Sequence, residues 1–229
     1  MRVGLAILNR NEEAALPVIL PRLPRGAVDL CFAVDGGSTD RSLEIFAEHG
    51  VDVLPERSAG RGEAFRIAFA HARGQVDALV LFSADGNEDP ADIVRFRPLL
   101  EAGADVVIAS RMLPGSVNEE DGQRFPVRKW ANQAFREAAR LRWGLRQPRI
   151  SDPINGFRAF TVGAWDTLAL DGAGYTIEFQ SSIRAYKHHL RVVEFPTAEG
   201  QRIGGESGAR SIPTGLRFLR LLLDEHRAG

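Results

Sequence analysis

The chain has 229 residues, 44% of them hydrophobic and 26% charged, with a formal net charge of −1. This is the composition of a globular protein able to bury a core, and neither sign of charge is in enough excess to imply nucleic acid or an acidic partner. A lone cysteine, Cys31, excludes a disulfide framework, and no apolar run approaches the ~18 residues of a membrane span. The apolar stretch at the N-terminus is too short for a signal peptide and runs straight into acids, so a cytoplasmic location is expected.

Residues 3–8 read as a strand, and NRNEEAALPVILPRL (9–23) follows with helical spacing. A second apolar run, 30–34, ends in DGGSTD, and RSLEIFAEHG (41–50) has helical period with a glycine at its C-terminal cap. Residues 51–54 predict a third strand and 60–74 a helix. The apolar run 78–82 predicts a fourth strand, 90–103 a helix and 105–109 a fifth strand. Strands and helices alternating at such short intervals predict an open parallel sheet covered on both faces. Ligands of such sheets lie beyond the C-terminal strand ends. Four polar segments, 9–12, 35–40, 57–61 and 83–89, converge there. Glycine-rich fingerprints for dinucleotides or phosphate loops are absent, so a nucleotide would be held by side chains and a metal.

Beyond Arg111 the character changes. Residues 124–149 carry a local charge of +7 with Trp130, Phe135, Leu141 and Trp143 interleaved, which suits either a solvated helix face or a surface meeting phosphate or anionic lipid. After SDPINGFRAF, a helix is predicted around 174–189, a strand over 191–197, a glycine-rich loop over 200–210 and a final helix over 213–227 with a leucine stripe. The VLFSADGNEDP stretch (80–90) ends a strand in carboxylates. There Glu88 and Asp89 suit a helix start, as Asp40 suits the cap of the helix near Ser42.

In order along the chain, ILNRNEE, AVDGGSTD, GRGEAFRIAFAHARG, FSADGNEDP, ASRML, SDPINGFRAF, GYTIEF and QRIGGESG resemble family 2 glycosyltransferases, and more narrowly their dolichol-phosphate or polyprenol-phosphate mannosyltransferase branch. The likeness covers roughly residues 3 to 215. It implies an α/β protein of the GT-A (nucleotide-diphospho-sugar transferase) fold, an open, mostly parallel sheet with helices on both faces. The resemblance implies one domain over 1–229, with a nucleotide-binding half (1–111) and an acceptor-binding half (112–229) that ends in an amphipathic helix. The activity implied is inverting transfer of a sugar from a GDP- or UDP-linked donor to a polyprenyl phosphate, with Mg²⁺ or Mn²⁺ and peripheral contact with the inner face of a membrane. Transfer to a glycan or small-molecule hydroxyl, and a non-catalytic nucleotide-sugar-binding protein, are the alternatives.

The same resemblance implies the site. Asn9, Asn11, Glu12, Asp35, Arg57, Arg61, Ser83 and Ala84 would hold the nucleotide, while Asp85 and Asn87 would hold the metal. Arg111, Arg128, Arg158, Arg202 and Arg210 would surround the phosphates, and Asp85, Arg128 and Arg202 would act in catalysis. Arg158 could instead pair with Asp152 in the interior. Three positions depart from the branch. Ser83-Ala84-Asp85 stands where the family has D-x-D, leaving a thinned metal site with Asp85 as chief ligand. Glu178 and Gln180 stand in reversed order. A shift of two residues on a helix turns a side chain by roughly 200°, so Glu178 is no simple substitute for a carboxylate at 180. Gly208 stands where a lysine is common, with Arg210 nearby.

Overall fold

Val3–Asn9 (β1) is buried along its whole length, and its neighbours in space are the other apolar runs. In a computed structural model, residues 1–55, 60–118, 120–121, 123–204 and 211–228 are described, Ser211 and Ile212 by their backbone alone. The elements that follow β1 are Leu16–Ile19 (α1), Leu30–Asp35 (β2), Ser42–Glu48 (α2), Asp52–Pro55 (β3), Arg61–Ala72 (α3), Ala78–Ser83 (β4), Phe96–Glu101 (α4) and Val106–Ser110 (β5). The second half adds Val127–Ala139 (α5), Arg158–Thr161 (β6), Val162–Leu168 (α6), Thr176–Lys187 (α7), Val192–Pro196 (β7) and Ser211–Arg227 (α8). They build one seven-stranded sheet in the order β3-β2-β1-β4-β6-β5-β7. All pairings are parallel except those of β6, which runs antiparallel between β4 and β5.

The period-two alternation of the strands divides the core in two. Val3, Leu5, Ile7, Val80 and Phe82 face one layer with Leu16, Ile19, Phe46 and Phe96. Ala6, Leu8, Leu79 and Leu81 face the other with Phe65, Phe69, Trp165 and Ile177, where Phe69 stacks on Trp165 at 4.0 Å. A third cluster, Phe179, Ile183 and Phe218 with Phe135 against it, joins α5, α7 and α8. The fold is thus the α/β sheet expected, helices on both faces.

Three local differences have physical causes. The segment 9–23 is helical only over α1, followed by short 3₁₀ turns at Leu20–Arg22 and Arg25–Ala27, because Pro17, Pro21 and Pro24 interrupt the ladder. Residues 90–103 begin as a 3₁₀ helix, Pro90–Arg95, before α4. And β6, inside the SDPINGFRAF motif, has no apolar run to announce it, since its first residue is a wholly buried arginine.

Candidate active site

The register that aligns Asn9 with Asp35 and Leu8 with Ser83 brings the C-terminal ends of β1, β2 and β4 to one edge. Two cavities meet there. The larger, about 1220 Å³, runs past Asn9, Asn11 and Glu12 and on to Arg217 and Arg220 of α8. The smaller, about 440 Å³, is walled by Asn87, Arg111, Arg128, Lys129, Phe135 and Phe218. Arg61, Ser83, Asp85, Tyr175 and Arg202 line both.

On the larger side, the β1 and β2 loops hold each other. Asn9 Nδ2 donates to Asp35 Oδ1 at 2.7 Å, and the buried Asn9 Oδ1 finds no hydrogen-bond partner among the described residues. Asn11, in a left-handed conformation, accepts from the Thr39 amide. Asp35 does not line the groove as expected. Its Oδ2 accepts the Gly37 and Ser38 amides and its Oδ1 the Ser38 hydroxyl, so the side chain shapes its own turn. Asp40 accepts the amides of Ser42, the first residue of α2, and of Glu13, but the N-cap position expected for it is held by Arg41. Glu12 is buried to 7% exposure; that burial, with Asp85 close by, pushes its carboxyl up to about 7 against the opposing pull of Arg202.

The β4 end forms the junction. The Ser83 amide donates to Glu88 Oε2 at 2.7 Å, and the Ser83 hydroxyl accepts Arg61 Nη2 at 3.0 Å. Asp89 caps the following 3₁₀ helix, but Glu88 turns inward beneath Ser83 rather than opening the helix. Burial and the nearby Asp85 push its carboxyl up to about 8, although Arg61 and the Ser83 amide pull the other way. Ala84 has its methyl in the core and its amide on the Leu8 carbonyl, and it still forms part of the lining of the larger cavity. Arg61, the first residue of α3, gives its Nε to Glu178 and lies over the rings of Phe65 and Tyr175. Burial opposes its charge, yet Glu178 holds the guanidinium above the ordinary arginine value. Gly156 makes room for it: a side chain at that position would occupy the space of the guanidinium.

Asp85 Oδ2 accepts from Arg202 Nη1 at 3.1 Å, while its Oδ1 receives only a long contact, 3.4 Å, from the Asn87 amide. Asn87 Nδ2 binds Glu199, which leaves its buried Oδ1 without a hydrogen-bond partner among the described residues. Among those residues no cluster of three or more His, Cys, Asp or Glu side chains could hold a metal by itself. Asp85 and the orphaned Asn87 oxygen nevertheless fit a hard divalent cation whose remaining ligands are diphosphate and water oxygens.

The arginines divide sharply. Arg128 is exposed on the first turn of α5 and lines the smaller cavity, as does Arg202. Arg111 also lines it, but its guanidinium is clamped by Asp152 (2.7 and 3.0 Å) and Glu199 (3.1 Å). Burial pushes the Asp152 carboxyl up, and Arg111 with Asn132 outweighs it and holds the group below the usual range. Arg158, expected at the phosphates, is wholly buried. Its guanidinium donates to the Asn155, Pro153 and Glu178 carbonyls and the Ser181 hydroxyl, not to Asp152. It ties β6 to α7 and touches neither cavity; burial pulls it down to about 10. Arg57 and Arg210 lie outside the described residues. Sequence reasoning missed Glu199, Tyr175 and the pairing of Arg61 with Glu178, which joins residues 117 positions apart. The Glu178 and Gln180 side chains point to different places, as helix geometry requires. Gln180 binds Asp171, Gly172 and Glu225, away from Arg61.

Residues 7–168 match the family model described as glycosyl transferase family 2. An undecaprenyl-phosphate mannosyltransferase of Micrococcus luteus is 33% identical over 221 residues, covering 90% of this chain and 87% of the relative. A polyprenol monophosphomannose synthase of Mycolicibacterium smegmatis is 30% identical over 219 residues, covering 90% and 80%. Among solved structures, glucosyl-3-phosphoglycerate synthase of Mycobacterium tuberculosis, crystallised with Mg²⁺ and UDP, superposes with a TM-score of 0.75 at 18% identity, covering 97% of this chain and 78% of that one. That likeness establishes the GT-A fold.

Proposed function

The chain belongs to glycosyl transferase family 2, and from that premise we propose that this glycosyltransferase moves a sugar from a nucleotide diphosphate sugar to a polyprenyl phosphate. The larger cavity takes the donor, with Asn9, Asn11 and Glu12 toward the nucleoside and Arg61 and Asp85 at the diphosphate. The smaller takes the acceptor, with Arg128 and Arg202 at its phosphate. The observation that carries this reading is the junction: five residues line both cavities, so a leaving diphosphate in one and an attacking phosphate in the other would share one electrostatic setting. The mixed lining of the smaller cavity, cationic at Arg128 and Lys129 and apolar at Val127, Phe135 and Phe218, suits a phosphate with a hydrocarbon chain.

Such an acceptor is already ionised near neutral pH, so its oxygen attacks the anomeric carbon without a base. The chain's task is then to orient two anions and offset their repulsion, and preorganised cations of this kind are usually the largest catalytic contribution. Asp85 and Asn87 would hold Mg²⁺ or Mn²⁺, which supplies Lewis-acid stabilisation of the leaving diphosphate. Arg61, fixed by Glu178 and Ser83, meets the donor side. Arg128 and Arg202 orient the acceptor phosphate, while Arg111 stiffens the wall between them.

Transfer to a hydroxyl, the second reading, needs a carboxylate base. Asp152 is fully buried and bound to Arg111 and Asn132. What favours that reading is the Oε2 of Glu178, on the wall of the smaller cavity, which has no hydrogen-bond partner among the described residues. Incubation with labelled GDP- and UDP-sugars and either a short polyprenyl phosphate or the matching alcohol separates the two. Labelled lipid phosphate from the first acceptor alone supports the proposal, and product from the alcohol alone overturns it.

A further inference from the structure

At the junction one guanidinium stands where a bound cation would otherwise be drawn. Arg202 donates its Nη1 to Asp85 and its Nη2 to Glu12, and its Nε to the Gly204 carbonyl at 3.2 Å. The segment carrying it is stitched to the β4 loop: the Ile203 amide donates to the Asp85 carbonyl at 2.9 Å and the Gly200 amide to the Asn87 carbonyl at 2.8 Å. Gly86, at φ +80°, lets the Ile203 side chain lie directly against it, where any side chain at position 86 would collide. Two carboxylates are therefore brought together at the edge of the sheet, and a single arginine, about one quarter exposed, is bonded to both.

A guanidinium offers such a pair charge-assisted hydrogen bonds in fixed directions. A divalent cation on Asp85 would compete with the guanidinium for that carboxylate's charge and would repel it at contact distance. Both cations can stay in this space only once a diphosphate supplies further anionic oxygens.

Resting on the reading of Asp85 as the metal ligand, we propose that Arg202 is the resident counter-ion of the cation site, which gives up Asp85 when metal and nucleotide diphosphate arrive together and thereby becomes free to bind phosphate. No covalent step is involved; one positive partner of Asp85 replaces another. Metal and nucleotide binding are then coupled, each strengthening the other reciprocally. Arg202 adds to the coupling that direct contact between metal and diphosphate would supply.

Binding of Mn²⁺ alone, followed by the loss of the free-ion signal in electron paramagnetic resonance, tests this on the full chain. Arg202→Gln should bind Mn²⁺ about tenfold more tightly than the parent in the absence of nucleotide, and the gain in Mn²⁺ affinity on adding UDP or GDP should shrink by a similar factor. Arg202→Lys, which keeps a charge but cannot bridge both carboxylates, should fall between them and guards against a folding defect in the glutamine variant. Unchanged or weaker Mn²⁺ binding in both variants, with Asp85→Asn still abolishing it, overturns the role given to Arg202. If Asp85→Asn leaves Mn²⁺ binding intact, it is the placement of the metal that fails instead.

Discussion

Glu178 is fastened to Arg61 by one oxygen, and the other, buried, has no hydrogen-bond partner among the described residues. If its task is to aim Arg61 at the donor, Glu178→Gln should raise the donor KM and lower kcat by roughly tenfold, the effect of a misaligned charged hydrogen bond. A general base at that position would cost about 10²- to 10⁴-fold and would take the rise of kcat with pH away with it. Steady-state kinetics across pH distinguishes the outcomes. Glu88 makes a second residue-scale test. Its carboxyl is pushed up to about 8 in the folded chain, above the unfolded value of about 4.3. The folded state therefore binds more protons between those values, and by linkage the stability due to this group is complete below the lower one and lost as pH rises through the upper. In chelator, Tm should fall from pH 5 to 8, and Glu88→Gln should flatten the fall. An equally steep fall in the variant would remove Glu88 from the account.

These two residues also mark what the sequence can and cannot disclose. Strand ends on a parallel sheet are legible because apolar runs stop abruptly in polar residues, so Asn9, Glu12, Ser83 and Asp85 were identifiable from pattern and resemblance together. Pairing across the fold is not. Nothing local says that Arg61 will meet Glu178, or that Arg158 will be satisfied by carbonyls in the interior while Arg128 stays exposed. Asp35 shows the same gap from the other side, since a loop acid matches a binding motif equally well when its oxygens fold the loop itself.

Among the elements, α8 has two contrasting faces. Phe218 and Glu225 face inward, and Glu225 takes hydrogen bonds from Gln180, Arg184 and Lys187 at 3.0, 2.8 and 2.7 Å. Burial pushes its carboxyl up, but Lys187, Gln180 and Arg184 hold it below the usual range. This gives Gln180 a structural purpose: it fastens the 171–172 loop and α8 to α7, which shapes the larger cavity. Breaking a buried ion pair from one side costs about 3 to 5 kcal/mol. Glu225→Ala should lose about 3 kcal/mol in denaturant unfolding and speed hydrogen exchange along α8; loss of under 1 kcal/mol would contradict an anchoring role. Boundaries of such elements were readable where an apolar run stops in polar residues, as at β4, or where apolar and polar residues alternate, as in α7. They were blurred where prolines cut the ladder, as around α1.

For the whole molecule, the outer face of α8 presents Leu216, Leu219 and Leu223 at 52–63% exposure, one helical stripe beside Arg220. Leu141, Leu145 and Trp130 are similarly exposed in the basic segment. Among the described residues no helix is long and apolar enough to cross a membrane. An apolar stripe rimmed by arginine is suited to the surface of an anionic bilayer, whose attraction adds to apolar burial. Vesicles containing anionic lipid should carry the protein down on sedimentation at low salt. The triple change of Leu216, Leu219 and Leu223 to Ser should release it, and equal pelleting by the variant would rule out α8 as the contact.

The centre of the account is that a nucleotide diphosphate and a divalent cation meet at Asp85, where the two cavities join. Calorimetric titration of UDP and GDP into the protein, with and without Mn²⁺, tests this most directly when Asp85→Asn is run alongside. For whichever nucleotide binds, Mn²⁺ should tighten the parent at least about tenfold, as expected of charge-assisted metal bridging, and should leave the variant unchanged. Equal tightening in parent and variant, or no binding of either nucleotide with Mn²⁺ present, would contradict it.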